Sequence, residues 1–299
     1  MKNHSHFKAI LLALFVTFLW STSFVIIKIG LSEIPPLTYA GLRYSIAFIC
    51  LLPLAFTKAN RVEIKILNRS DWIKLFIYGL LFIAFTQGAM FTGLLYLPAV
   101  TVSLWLNFTP LVVAVLAIFL IKEYPTIRQW GGVLLFIAGI VIYFLPIVLS
   151  ENQEIGLIVM TIGVFANSGS SVLGRSINRE AKINPVVVTI VSMGIGSLIL
   201  FIGGVVIQGL PSISMQNILY LLWLAVINTA LAFVIWNFTL RTLSAMESSI
   251  INGTMLIQIA ILAWVFLGEV ITLQEGIGML IAALGVLLVQ IKIKNKMKT

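Results

Sequence analysis

The chain has 299 residues, of which 60% are hydrophobic and 10% charged, with 19 Lys and Arg against 10 Asp and Glu for a net charge of +9. An ordinary soluble domain carries about 25% charged residues, so too few are present to coat a water-facing exterior, and the mean hydropathy of +1.11 agrees. A soluble enzyme, a nucleic-acid-binding module and a disordered chain are thereby excluded, which leaves a polytopic membrane protein of the helical class.

A membrane-crossing helix needs about 20 mostly apolar residues. In chain order such segments lie at 8–30, 36–57, 73–96, 99–121 and 127–148, then at 155–174, 184–208, 216–238, 244–267 and 273–291. The gaps are short and hold the Pro, Gly and charge signals of turns. None of the segments alternates in polarity as the strands of a membrane β-barrel do. Lys2 and Lys8 with the apolar 9–19 have the look of a signal peptide, but the apolar stretch runs on to Ile29 and nine more spans follow. It is read as an uncleaved first helix. The expected fold is an all-α integral membrane protein with ten transmembrane helices.

The basic residues set the orientation. With the N-terminus cytoplasmic, 17 of the 19 Lys and Arg fall in inner loops and tails, from Lys2 and Lys8 through Lys58, Arg61 and Lys65 to Lys292–Lys298. The outer loops hold acids only, such as Glu33, Glu151, Glu269 and Glu275. The two remaining cations, Lys28 and Arg43, lie inside spans one and two. A split of this kind predicts both termini inside and an even number of helices, and the expected location is the cell membrane. The single cysteine, Cys50, makes no internal disulfide, and the only histidines, His4 and His6, sit in the N-terminal tail. No His/Cys metal site, and no cofactor, is called for in the body of the chain.

The chain repeats itself at an offset of 146. Residues 94–139 laid on 240–285 match at Leu97/Leu243, Ala99/Ala245, Ser103/Ser249, Glu123/Glu269, Thr126/Thr272, Gly132/Gly278 and Gly139/Gly285, among others. The Glu, Thr and Gly matches are the specific ones, since membrane segments share a small apolar alphabet. The division falls at 1–149 and 150–299. Five helices per copy is an odd number, so the second copy enters the membrane from the opposite side. Inverted repeats of this kind are typical of secondary transporters, with a binding site near the midplane.

The run Trp20-Ser21-Thr22-Ser23-Phe24 followed by Lys28, then Pro35-Pro36 and Arg43, and the paired Glu-x-x-Thr-(x)5-Gly segments Glu123–Gly132 and Glu269–Gly278 carry a resemblance. Over nearly its whole length the chain resembles the drug/metabolite transporter superfamily, and within it the ten-helix EamA-domain family. The resemblance implies export of amino acids, other metabolites or drugs, without naming a substrate.

Five residues are candidates for substrate binding. Arg43 lies about 10 Å below the outer surface at 1.5 Å per residue. Its charge at that depth serves either as counter-charge to an anionic group such as a carboxylate, or as a pin on backbone carbonyls at a helix break. Lys28, near the outer end of span one, either snorkels to the headgroups or, as the resemblance implies, takes part in the site. Trp20 stands mid-span beside three hydroxyl residues, where it walls a cavity or simply packs between helices. Gln87 and Asn107 lead a set of mid-span polar residues that also includes Asn167, Asn228, Asn237, Asn252 and Gln258. Asn107 precedes Pro110, which is expected to kink its helix. Glu123 and Glu269 precede the capping boxes Thr126–Gln129 and Thr272–Glu275, and are expected to favour the N-termini of the helices that follow. Gly132, Gly139, Gly278 and Gly285 read as close-packing positions.

All ten acids fall in loops or at span ends, so no embedded carboxylate marks a proton path. Coupling then uses the substrate's own proton, or Glu247, or is absent. An intramembrane enzyme would need a nucleophile, a base or paired acids at membrane depth, and a channel would need rings of charges or carbonyls. The expected partners are a small-molecule substrate and the lipid bilayer. The leading reading is a metabolite exporter working by alternating access, with lipophilic-cation efflux as the alternative.

Overall fold

The computed structural model describes residues 2–109, 111–113, 115–116, 126–145, 152–179, 182–239, 242 and 251–290. Among the described residues every regular element is helical. In chain order these are α1 (Lys2–Gly30), α2 (Pro36–Ala55), α3 (Lys58–Ile66), α4 (Arg69–Tyr96), α5 (Ala99–Leu106), α6 (Ile127–Phe144), α7 (Gln153–Arg179), α8 (Pro185–Gln208), α9 (215–239), α10 (Met255–Leu267) and α11 (Leu273–Gln290). Six of them, α1, α2, α4, α7, α8 and α9, contain stretches long and apolar enough to cross a membrane. The protein is therefore a multi-pass membrane protein. Shorter apolar helices lie at Trp130–Phe144, Ile251–Leu267 and Leu273–Leu288. Exposed side chains such as Leu134, Val206, Ile207 and Trp264 form the apolar exterior that a bilayer requires.

Some boundaries differ from the hydropathy reading. The first helix begins at Lys2 and α7 continues to Arg179. The segment 58–66, which lies between two spans in the hydropathy reading, is the helix α3. The ninth expected span is described from residue 251 onward. Pro110, Glu123 and Glu247, and the side chains of Gln129 and Asn237, lie outside the described residues, and with them the expected kink, the first capping box and the inner-face acid.

In lipid the first turn of a helix has no water to satisfy its N–H groups. Several helices here draw the missing acceptor from 121 to 181 positions away in the chain. Gln208 Oε1 accepts from Leu37 N at 2.9 Å and Thr38 N at 3.4 Å, at the start of α2 behind Pro36. Glu63 accepts from the backbone N of Asn184, whose own side chain caps α8. Glu33 accepts from Ser214 N at 3.1 Å, and Ser214 caps α9. Hydrogen bonds from Asn217 and from Ser214 hold the Glu33 carboxyl below the usual carboxylate range. Glu269 accepts from Ala99 N at 2.8 Å and Val100 N at 3.4 Å. Glu269 thus charges the start of α5, not the start of α11, the helix that follows it. That end is closed by Thr272 and Glu275, as the capping-box reading expects.

Two helices widen into π geometry, α4 over Leu80–Gln87 and α9 over Val226–Leu231. Their first residues differ by 226 − 80 = 146, the repeat offset. In each, a threonine hydroxyl donates to the carbonyl five residues back, Thr86 to Leu81 and Thr229 to Leu224, both at 2.8 Å. Segments of this kind recur at functional sites.

The tightest crossings are made by glycines. A Cβ on Gly139 would lie 2.4 Å from Ala282 N and 2.6 Å from Gly278 O, and one on Gly285 2.5 Å from Phe136 N. The repeated glycines therefore seat α6 against α11. Gly41 faces Phe201 and Gly204 faces Thr38, which seats α2 against α8. Several of the other contacts come in matched sets. α1 touches α9 and α10, α7 touches α4 and α5, and α2 with α9 is answered by α8 with α4. Shifting each helix by the repeat offset turns one set into the other.

Candidate functional site

Three helices converge on Arg43. α2 carries Tyr39 and Arg43 one turn apart on a single face. α1 carries Ser21, Thr22 and Ser23, whose hydroxyls donate to the carbonyls of Thr17, Leu19 and Leu19, so each satisfies itself within its own helix. The π segment of α9 contributes Asn228 and Thr229, both fully buried. Asn228 Nδ2 donates to Leu19 O at 2.6 Å, Ser23 Oγ at 2.9 Å and Thr22 Oγ1 at 3.0 Å, which ties α9 to α1. Arg43 Nε donates to Thr229 Oγ1 at 2.8 Å, and its Nη2 to Ser23 Oγ at 3.4 Å and to the Asn228 carbonyl at 3.5 Å.

The guanidinium is 3% exposed and lies 5.5 Å from the Tyr44 ring centroid and 5.9 Å from that of Phe91. Aromatic faces give a buried cation partial compensation. Among the described residues no carboxylate pairs with it; Lys28 and Glu269 form an ion pair elsewhere. Arg43 Nη1, Asn228 Oδ1 and Tyr39 Oη are buried without a hydrogen-bond partner among the described residues. The junction thus presents an unmet donor on a cation and an unmet acceptor on Asn228, while the Tyr39 hydroxyl lies against Gly30 on α1. An anionic group carrying its own donor and acceptor would complement it.

A run of half-buried aromatic rings adjoins the junction. Trp20 tilts against Phe233 and Trp236 at 5.6 and 5.1 Å, Phe233 meets the edge of Phe82 at 6.1 Å, and Phe82 stacks on Tyr78 at 5.6 Å. The rings link α1, α9 and α4.

The sequence candidates separate in space. Arg43 belongs to the junction, and Trp20 stands on α1 beside it. Gln87 closes the π segment of α4, half-buried, and its side chain makes no hydrogen bond among the described residues. Asn107 ends α5 and turns its side chain back on Ser103 O at 2.8 Å, a local bond away from Arg43. The break in that span falls at Asn107 itself. Lys28 does not snorkel. Its Nζ donates to Leu97 O at 2.5 Å and pairs with Glu269 at 3.5 Å. Glu269 therefore serves both Lys28 and the N-terminus of α5. Asn167, from the wider polar set, donates to Thr109 Oγ1 at 3.1 Å and joins α7 to the middle of the fourth span.

Lys28→Gln and Glu269→Gln are each expected to lower thermal stability, and a double-mutant cycle is expected to give a coupling of roughly 1–2 kcal/mol. Strictly additive losses would show that the ion pair contributes nothing.

Asn228 was visible as one of several mid-span polar residues, and Thr229 beside it doubles the signal. Nothing local says that they face Arg43, 185 positions away in sequence.

The relatives of this chain are transporters. The uncharacterized transporter YvbV of Bacillus subtilis (strain 168) is 26% identical over 303 residues, covering 98% of this chain and 95% of the relative. A probable amino-acid metabolite efflux pump of Escherichia coli (strain K12) is 28% identical over 236 residues, 75% of each chain. A solved crystal structure with 16% identity superposes with a TM-score of 0.68 and covers 94% of this chain and 97% of its own, so the helical arrangement recurs there. The model of the EamA-like transporter family matches residues 7–145 and again 154–291, and the chain belongs to that family.

Proposed function

We propose that the protein is a secondary carrier that exports an amino acid or a related small metabolite across the cell membrane by alternating access. The matched helix contacts carry the reading. A two-fold exchange of α1, α2, α4 and α5 with α7, α8, α9 and α10 supports ten spans built as two inverted five-helix halves, 1–149 and 150–299. In that arrangement both termini lie in the cytoplasm, in keeping with the basic loops. The Arg43 junction, made by residues of both halves, takes the substrate's anionic group, while Trp20 and Gln87 wall the path beside it. Asn107 marks the break in span four along which that path continues. Lys28 acts at the outer end, through Glu269, by joining the two halves. Export is the direction suggested by the efflux pump of Escherichia coli. The aromatic run from Trp20 to Tyr78 favours a second reading, efflux of lipophilic cations, because π faces attract such solutes.

Counterflow in proteoliposomes tests both. Preloaded vesicles are offered labelled amino acids, small carboxylic acids and lipophilic cations. Saturable exchange of a carboxylate-bearing solute is expected. Exchange of lipophilic cations alone selects the second reading, and flux that neither saturates nor shows counterflow overturns the carrier.

A further inference from the structure

α3 has three unlike faces. At 100° per residue, Lys58, Arg61 and Lys65 form one stripe, Val62 and Ile66 the next, and Asn60 with Ile64 the third. The third faces the protein. Asn60 is buried and donates to Leu54 O at the end of α2 at 2.8 Å, and Ile64 packs on the cluster of Leu75, Ile177 and Val188. The helix's one acid, Glu63, is occupied by the Asn184 backbone at the start of α8. The other two faces are open. Val62 and Ile66 are 61% and 72% exposed, and the side chains of Lys58, Arg61 and Lys65 are exposed with no hydrogen bond or ion pair among the described residues.

A helix joining the ends of two membrane-spanning helices lies at the level of the lipid headgroups. An exposed apolar stripe beside an unpaired basic stripe is the pattern of a helix lying in that interface. Free phosphate would use the cations alone and leave Val62 and Ile66 in water, whereas a phospholipid uses both stripes. We propose that α3 is a docking site for anionic phospholipid: Val62 and Ile66 enter the acyl boundary, and Lys58, Arg61 and Lys65 hold the headgroup phosphate. Because α3 is bonded to the adjoining ends of α2 and α8, a lipid held there braces that crossing.

The test compares the melting temperature of purified full-length protein in detergent on adding phosphatidylglycerol, phosphatidylcholine or inorganic phosphate. Two triple variants are run beside it: Lys58→Gln/Arg61→Gln/Lys65→Gln, and Lys294→Gln/Lys296→Gln/Lys298→Gln. Each removes three positive charges from the net +9. Phosphatidylglycerol is expected to stabilise the unmodified protein and the tail variant, and the α3 variant to need about tenfold more of it for the same shift. Equal losses in both variants, equal shifts with phosphatidylcholine, or a shift reproduced by inorganic phosphate would overturn the proposal. Transport is not read, so the outcome stands apart from the carrier assignment.

Discussion

Arg43→Met is expected to abolish saturable exchange while leaving the melting temperature almost unchanged. The two sides of the stability balance are of similar size. Arg43 makes three hydrogen bonds within the protein, and at about 0.6 kcal/mol for each interhelical bond in a membrane their loss costs about 2 kcal/mol. Removing an arginine from the membrane interior returns roughly 2.5–3.5 kcal/mol on insertion scales. A residue kept as a structural pin would show the opposite pattern, a large fall in stability and a transport defect only in proportion to the protein lost. Arg43→Lys separates the remaining cases. It keeps the charge but carries one nitrogen, which reaches Thr229 or Ser23 and not both. Exchange is expected to fall at least tenfold, about 1.4 kcal/mol, with folding intact. Full activity in Arg43→Lys would mean that charge suffices and the bonded geometry does not matter.

Gly139→Ala is expected to destabilise the protein by about 1–3 kcal/mol, the range for overpacking. The added methyl would stand 2.4 Å from Ala282 N and 2.6 Å from Gly278 O. Both are backbone atoms of α11, so no rotamer change relieves the clash and the two helices must part. Gly285→Ala meets Phe136 N at 2.5 Å and Gly132 O at 2.7 Å and should behave alike. Gly131, on the same helix as Gly139, has nothing within 4 Å of its would-be Cβ. Gly131→Ala is therefore expected to be neutral or to stabilise by up to about 1 kcal/mol through helix propensity. Thermal unfolding of the three variants in one detergent checks the contrast. Equal stability of Gly139→Ala and Gly131→Ala would mean that α6 and α11 are not in close contact.

The repeat and the glycines were legible because they are patterns along the chain. Gly132, Gly139, Gly278 and Gly285 could be named as packing positions from their spacing, and the structure seats them against each other. The site was less legible. Arg43 stands out because a charge in an apolar span is costly, yet its partners Ser23, Asn228 and Thr229 come from two other helices. The π segments are apolar like the spans that hold them, so hydropathy does not reveal their geometry. α3 was passed over because nine mixed residues between two spans look like a loop; its faces acquire meaning only beside α8 and a membrane surface. Lys28 and Glu269 are 241 positions apart, and Glu269 looked like the cap of its own following helix because proximity in sequence was the available guide.

Composition, span hydropathy and the 146-residue repeat add up over neighbours in the chain. The sequence by itself therefore determined the helical membrane class, most span positions and the two family copies. Partner choice is a different kind of quantity. Which helix closes which N-terminus, which hydroxyl meets Arg43, and which acid meets Lys28 depend on pairs of residues 20 to 241 positions apart. Many residues of like polarity could make each such bond. Only the packing of the helices against one another selects among them, as α1, α2 and α9 do for Arg43 around the π segment at Val226–Leu231.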